Sequence, residues 1–462
     1  MAKSTTEFVC SNCGHIEPRW AGKCPSCQEW STLEERTKSD ASKPQVGVKS
    51  SGAVSRPTRR AQTVSQITTK KFSRLSSGIG EFDRVLGGGL VPGSVILLAG
   101  EPGIGKSTIL AMVSQSIASS GMKTLYVSGE ESVEQIAMRS KRVGADSDNL
   151  FIASEVDLAV VLGHIDEQQP EFLIVDSIQT IASSEIASRM GSVGQVNEVT
   201  TVLQRKAKEL GIPAIFIGHV TKSGEIAGPR TVEHLVDVIL HFEGDKDSSL
   251  RMLRGVKNRY GAADEVGCFE HTEEGIVEVP DPSGMLLGRR DEPMSGVSTS
   301  VIVEGKRPLP IEIQALVAPS PLPVPRKVIS GIDGPRGNQL QAVTERHGRI
   351  TLFNKDLYIA TIGGIRTRET AVDLATIVAI ISAAEDIPTP PKQVVIGEVT
   401  LTGEVRKVPG IGRRLAEAYR LGFTQAVVPS GSREEASKIV PKMNIIEVGN
   451  VGHVVQLVKA MS

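Results

Sequence analysis

Gly100-Glu101-Pro102-Gly103-Ile104-Gly105-Lys106-Ser107 spells G-x-x-x-x-G-K-[ST] directly after the apolar run at residues 94–99. No other stretch narrows the possible folds as far. The pattern works only where a buried strand turns through a glycine-rich loop into a helix. The glycines let backbone N–H groups curl around phosphates, and the helix N-terminus adds a favourable partial charge. Lys106 is expected on the β and γ phosphates of a nucleotide and Ser107 on Mg²⁺, with Thr108 closing the cradle.

The flanking sequence supplies the rest of such a fold. Runs at 124–127, 172–175 and 214–217 are short and apolar, as buried parallel strands are, and helical patterns at 132–143 and 193–210 fall between them. Strand–helix alternation of this kind predicts an α/β sheet with crossover helices. Phe172-Leu-Ile-Val-Asp176 is four apolar residues ending in an acid, so Asp176 is expected in the Mg²⁺ shell. Hydrolysis also needs a carboxylate to place water. Glu130, just past the second strand, is chosen for that role over Glu131, the alternative, which otherwise only begins the next helix, where an acid suits the dipole. In the loop after the fourth strand, His219 is either a γ-phosphate sensor or an ordinary hydrogen-bonded histidine. Lys222 and Arg230 offer phosphate contacts there.

Composition bounds the remainder. At 462 residues the chain exceeds one core, and its net charge of −1 makes it no polycation, so nucleic-acid contacts must be local. No apolar run approaches the ~20 residues of a membrane span, and the first residues, MAKSTTEFVC, lack the apolar core of a signal peptide. A cytoplasmic protein is expected. Four of the five cysteines, Cys10, Cys13, Cys24 and Cys27, form two C-x-x-C pairs, the donor set of a closed structural Zn²⁺ site. So short a module, residues 1–33, folds only with its metal. Trp20 and Trp30 either pack on its turns or form a binding face. Cys268 reads as a small buried hydrophobe. Residues 34–71 are expected as a flexible basic linker. From 36 to 71 it holds nine Lys or Arg against one acid, Asp40.

Ser77-Gly78-Ile79-Gly80-Glu81-Phe82-Asp83, followed by Leu86-Gly87-Gly88-Gly89-Leu90 and Pro92-Gly93-Ser94, resembles the approach to RecA- and KaiC-type ATPase cores. Together with the cysteine pairs and Lys257-Asn258-Arg259-Tyr260-Gly261, the chain is similar to the bacterial RadA (Sms) family of DNA-repair ATPases over essentially its whole length. Tyr260 stands where that family usually has Phe and keeps the aromatic ring. The resemblance implies a RecA-type P-loop core over 72–285 that hydrolyses ATP. It also implies a homo-oligomeric ring, a hexamer, that binds single-stranded DNA and branched recombination intermediates. ATP would drive strand exchange or branch migration beside a RecA recombinase. It places Lys257 and Arg259, with Asn258, Tyr260 and Gly261, at a subunit boundary, acting on a neighbour's phosphates or on DNA, and it matches Lys222 and Arg230 to the DNA-binding loop of RecA.

Residues 325–462, reached through an expected connecting segment at 286–324, resemble the Lon protease domain, most clearly between Gly397 and Gly412. Lon proteases use a Ser–Lys dyad. The nucleophile stretch Gly363–Ala371 holds no serine, with Thr370 the conceivable substitute, and the lysine position falls on Arg413 or Arg414. Arginine cannot act as a base near neutral pH. The fold is implied and the proteolysis is not. Arg366, Arg368, Lys407, Arg413 and Arg414 suggest instead an oligomerisation and DNA-binding scaffold. A KaiC-like signalling ATPase that binds protein, and a Lon-type ATP-dependent protease, are the competing readings.

Overall fold

The computed structural model describes residues 6–10, 16, 17, 20–25, 28, 30, 33–37 and 73–461, save 145, 220–230, 245–247, 274 and 289–291. The chain divides into two compact units, residues 1–70 and 71–462. In the first, β1 (Thr6–Cys10) lies between β2 (Ile16–Glu17) and β3 (Leu33–Thr37) in an antiparallel ribbon. The expected linker lies almost wholly outside the described residues.

The second unit begins with α1 (Gly80–Leu86) and then alternates strand and helix. The chain runs β4 (Val95–Gly100), α2 (Lys106–Ser119), β5 (Thr124–Ser128), α3 (Val133–Arg142), β6 (Leu150–Ser154), α4 (Leu158–Gln168), β7 (Phe172–Asp176), α5 (Val193–Leu210), β8 (Ala214–His219), α6 (Thr231–Leu235) and β9 (Val238–Glu243). The strands from β4 to β9 are parallel in the order β6-β5-β7-β8-β4-β9. An antiparallel extension follows, made of β10 (Leu250–Asn258), β11 (Val266–His271) and β12 (Ile276–Glu278). Every residue of β4 is buried, which is why it reads as one apolar run rather than an alternation. Its side chains nevertheless divide by strand period: Ile96 and Leu98 join the cluster under α1 and α2, and Val95 and Leu97 join the one under α4 and α5. α3 starts where Ser132 and Gln135 form a reciprocal capping box.

Beyond α7 (Ser283–Leu286) a second sheet takes over. It contains β13 (Val297–Glu304), β14 (Arg307–Pro319), β15 (Lys327–Ile329), β16 (Lys355–Thr361) and β17 (Gln393–Val395). A small ladder of β18 (Glu398–Val399) and β19 (Val405–Arg406) stands apart, and β20 (Gln425–Pro429) and β21 (Asn444–Val448) complete the large sheet in the order β15-β16-β14-β13-β17-β20-β21. Helices α8 (Gly334–Gly348), α9 (Asp373–Glu385) and α12 (Val451–Lys459) cover one face, and α10 (Ile411–Arg420) and α11 (Arg433–Ile439) the other.

Residues 286–324 are therefore not a connector: they contribute β13 and β14, at the middle of this sheet. Pro308 and Pro310, residues that ordinarily argue against a strand, lie two apart on β14, so both missing N–H groups point the same way. β16 joins β14 only from Ile313 onward, so that edge loses no ladder bond. This domain is tied to the first sheet through a buried ion pair, Arg307 with Glu81, whose carboxylate also accepts from the Cys268 N–H at 2.9 Å. Arg254 to Glu304 at 2.8 Å and Lys306 to Asp264 at 3.1 Å add to it.

Candidate nucleotide site

The parallel strands all end on one side, and their register decides what meets there. Gly100 lies between His219 on β8 and Phe242 on β9, and Ser128 at the end of β5 lies opposite Asp176 at the end of β7. The loop from Gly100 to Gly105 turns at this edge. A Cβ on Gly100 would sit 2.5 Å from the Phe242 carbonyl oxygen, and Gly105 has φ 111°, which only glycine adopts without strain. α2 then opens at Lys106, with Ser107 and Thr108 half-buried in its first turn. Glu101, Pro102 and Gly103 are exposed, Ile104 is buried, and the space beside Gly103 is open. A cavity of about 270 Å³ continues from the loop, lined by Gly100, Glu101, Ile104 and residues 241–244. An exposed glycine-rich turn, an open face and a helix N-terminus fit a phosphate chain.

Lys106 is buried, and its Nζ donates to the carbonyls of Gly100 and Glu101, both at 2.9 Å. Burial pushes its ammonium below the usual lysine range, and the negative charges of Asp176 and Glu130 push it partly back. Both carboxylates thus act on the lysine. Glu130 accepts from the Ser177 hydroxyl at 2.7 Å. The neighbouring Glu131 turns the other way and pairs with Arg139 at 2.5 Å. Asp176, buried, accepts from the Tyr126 hydroxyl at 2.7 Å, and that hydroxyl accepts from Arg139 at 3.1 Å. Burial, followed by the Asp176 charge, holds the Tyr126 phenol well above its ordinary pKa.

Lys257–Gly261 does not join this cluster. Asn258 pairs with Val238, and Val238 with Ile96 near the start of β4, so the segment lies at the opposite end of the strands from its own phosphate loop. There Lys257 donates to the backbone carbonyls of Glu233 and Val236 at the end of α6. Burial, then the Arg259 charge, lowers its pKa. Arg259, half exposed, pairs at 2.9 Å with Asp237, which is 2% exposed and accepts from the Val95 N–H at 3.1 Å. The Asn258 side chain donates to the Leu86 carbonyl at 3.2 Å and accepts the Tyr260 N–H at 2.9 Å. Gly261 lies against Gly87. β8 ends at His219, beside Gly100; its side chain, Lys222 and Arg230 lie outside the described residues.

In the N-terminal ribbon, Cys24 is buried beside Phe8 and Ala21, and the Gln28 N–H closes a turn onto the Cys24 carbonyl at 2.9 Å. Cys10 ends β1. Its side chain, Cys13 and Cys27 lie outside the described residues. A buried thiol at a tight turn with four cysteines in sequence fits a Zn²⁺ site. Trp20 and Trp30 are both exposed and flank Gly22.

At the Lon-like positions, Thr370 begins a short 3₁₀ turn ahead of α9. Arg414 departs from the expected DNA-binding surface: it is no surface contact. Its side chain is buried, donates to the Val301 carbonyl at 2.7 Å and pairs with Glu369. Arg413 reaches the Lys306 carbonyl at 3.4 Å and Lys407 the Gly431 carbonyl, while Arg366 and Arg368 are exposed.

Tyr126, Arg139, Ser177 and Asp237 were not singled out from sequence. Tyr126 is marked only by strand register: it lies two residues before Ser128, whose partner is Asp176, so the pair is diagonal on one sheet face. Arg139 carries no such mark.

Three family models match the chain: the KaiC ATPase over residues 75–161, a rubredoxin metal-binding zinc ribbon over 8–35, and subunit ChlI of Mg-chelatase over 362–432. The DNA repair protein RadA of Mycolicibacterium smegmatis is 48% identical over 453 residues, covering 96% of each chain. That of Bacillus subtilis is 43% identical over 98% of each, and that of Mycobacterium tuberculosis 46% identical over 93% of this chain and 89% of its own. An α/β RecA-like ATPase core, an N-terminal zinc ribbon and a ChlI/Lon-like C-terminal domain are the parts of this molecule.

Proposed function

This chain belongs to the RadA family of DNA repair proteins, and from that premise we propose that it is an ATP-driven motor of recombinational repair. It is an ATP hydrolase. In this reading it binds single-stranded DNA and branched intermediates, assembles as a hexameric ring, and spends hydrolysis on strand exchange or branch migration beside a RecA recombinase in the cytoplasm. The observation that carries the reading is the division of charged groups between the two ends of the sheet. Lys106, Glu130 and Asp176 gather at one end and Lys257 and Arg259 at the other. A head-to-tail ring brings one subunit's second end to its neighbour's first, and it closes only if the rotation does.

Lys106 leaves the Gly100 and Glu101 carbonyls for the β and γ phosphates when ATP enters, while the backbone of residues 100–108 cradles them. Ser107 and Asp176 would hold Mg²⁺, which neutralises charge on the phosphates. Glu130, steadied by Ser177, orients the attacking water, and a neighbour's Arg259 stabilises the transferring group. Lys222 and Arg230 touch DNA phosphates. Cys10, Cys13, Cys24 and Cys27 hold a structural Zn²⁺. The Lon-like domain serves as a scaffold, since Arg414 is locked on Glu369 and cannot act as a base.

Titrating single-stranded DNA into an ATPase assay tests this. Turnover that rises with DNA supports the motor. Turnover indifferent to DNA, in a protein that does not retain labelled single strands, favours the protein-binding KaiC-like reading instead.

A further inference from the structure

The carboxylate placed in the Mg²⁺ shell does not stand alone. Asp176 sits at the end of β7, buried, and one of its oxygens, Oδ2, accepts a hydrogen bond from the Tyr126 hydroxyl at 2.7 Å. Tyr126 is 1% exposed and rises from the next strand, β5. The same hydroxyl is the acceptor for Arg139 Nη2 at 3.1 Å, the guanidinium lies 5.9 Å from the centre of the tyrosine ring, and its Nη1 pairs with Glu131 at 2.5 Å. Since the guanidinium can only donate, the phenol proton is committed to Asp176. Arg139 therefore donates two ways, to Glu131 and to Tyr126, and from it the bonds Arg139–Tyr126–Asp176 run in one direction, from α3 to the strand end.

We propose that Tyr126 is a positioning residue for the divalent cation of the nucleotide site: it occupies Oδ2 of Asp176, fixes the carboxylate plane, and leaves Oδ1 as the oxygen that faces the metal shell. Arg139 orients the phenol and ties that geometry to α3. The proposal rests on the reading of Asp176 as the metal-facing acid. A phenol buried among apolar neighbours needs a partner for its hydroxyl, and the nearest one here is the carboxylate with the most work to do. Groups that orient a metal-facing carboxylate set its affinity by 10–100-fold in general. Phe in place of Tyr keeps the ring and the packing and removes only the hydroxyl, so it isolates this effect.

The test uses full-length Tyr126→Phe, with Asp176→Asn beside it. Mn²⁺ affinity in the presence of ADP is read by electron paramagnetic resonance, and Mg²⁺ is titrated into the ATPase assay. Tyr126→Phe is expected to weaken Mn²⁺ by about tenfold and to raise the Mg²⁺ needed for half-maximal turnover in parallel, with the ATP KM at saturating Mg²⁺ unchanged. Arg139→Gln is expected to shift both in the same direction by less, and it serves as the deciding variant if Tyr126→Phe does not fold. Wild-type Mn²⁺ affinity in Tyr126→Phe, or in Arg139→Gln when that variant decides, with affinity lost in Asp176→Asn, overturns the positioning role and leaves the site reading intact. Wild-type Mn²⁺ affinity in Asp176→Asn overturns both.

Discussion

Replacing Arg259 with Ala removes a guanidinium that is half exposed and pairs with Asp237 at the end of the sheet away from its own phosphate loop. The separation follows from register. Asn258 is level with Val238 and Ile96, and Gly100 is four residues further along β4, or about 13 Å at the rise of a parallel strand. Loss of a half-exposed ion pair costs stability only about 1 kcal/mol, and Asp237 keeps the Val95 N–H and has Lys208 at 3.6 Å. An arginine finger acting on a neighbour's phosphates is worth ~10³ or more in rate, which is ~4 kcal/mol of barrier. Arg259→Ala should therefore melt and bind ATP much like the parent while its DNA-stimulated turnover collapses. Mixing sharpens the test. When Arg259→Ala and Lys106→Ala subunits co-assemble at random in equal amounts, about a quarter of ring interfaces join an intact Lys106 to an intact neighbouring Arg259. Turnover should recover toward that fraction although neither variant is active alone. If Arg259 acts within its own subunit, no site in the mixture holds both residues and nothing recovers. No recovery in mixtures proven to co-assemble refutes the trans-acting finger.

Lys106→Ala should retain the fold, because its ammonium meets only loop carbonyls, and on the proposed phosphate role should lose ATP turnover by at least ~10³; near-normal turnover would remove it from the phosphate site. Cys24→Ser should lower zinc content, measured by atomic absorption, without lowering basal ATPase, since the ATPase core buries its own clusters; joint loss would show that the zinc ribbon supports that core. Cys268 is fully buried, and burial raises its thiol from 9.0 to about 11. A thiol raised on folding contributes stability that is complete below the unfolded value and is lost as pH climbs from there toward 11. At pH 8 the Cys268 peptide should thus resist iodoacetamide in the native protein and react in denaturant, as read by mass spectrometry; rapid native alkylation contradicts the buried thiol.

The parts written in short-range patterns were open to a reader of the sequence. The phosphate loop needs glycines at fixed offsets between a strand and a helix, and residues 100–107 carry all of them within one turn. Buried parallel strands show as unbroken apolar runs, so β4, β5, β7 and β8 were placed to within a residue or two. The cysteine pairs and the arginines at the Lon dyad position are likewise local facts. Sheet pairing is not local. β13 and β14 were hidden because prolines two apart imitate a loop until the reach of β16 is known. Glu130 and Glu131 are adjacent and chemically alike. Only the positions of Ser177 and Arg139 send one toward Asp176 and Lys106 and the other away. Arg414 reads as a surface cation until Glu369 and the Val301 carbonyl are folded around it. Lys257–Gly261 is plain as a motif, but its place at the far end of the strands exists only through the register of β10 on β9 and β9 on β4. The chain alone determined which chemistry it carries. Long-range strand pairing, which no local pattern encodes, decided which charges share a site and which must work somewhere else.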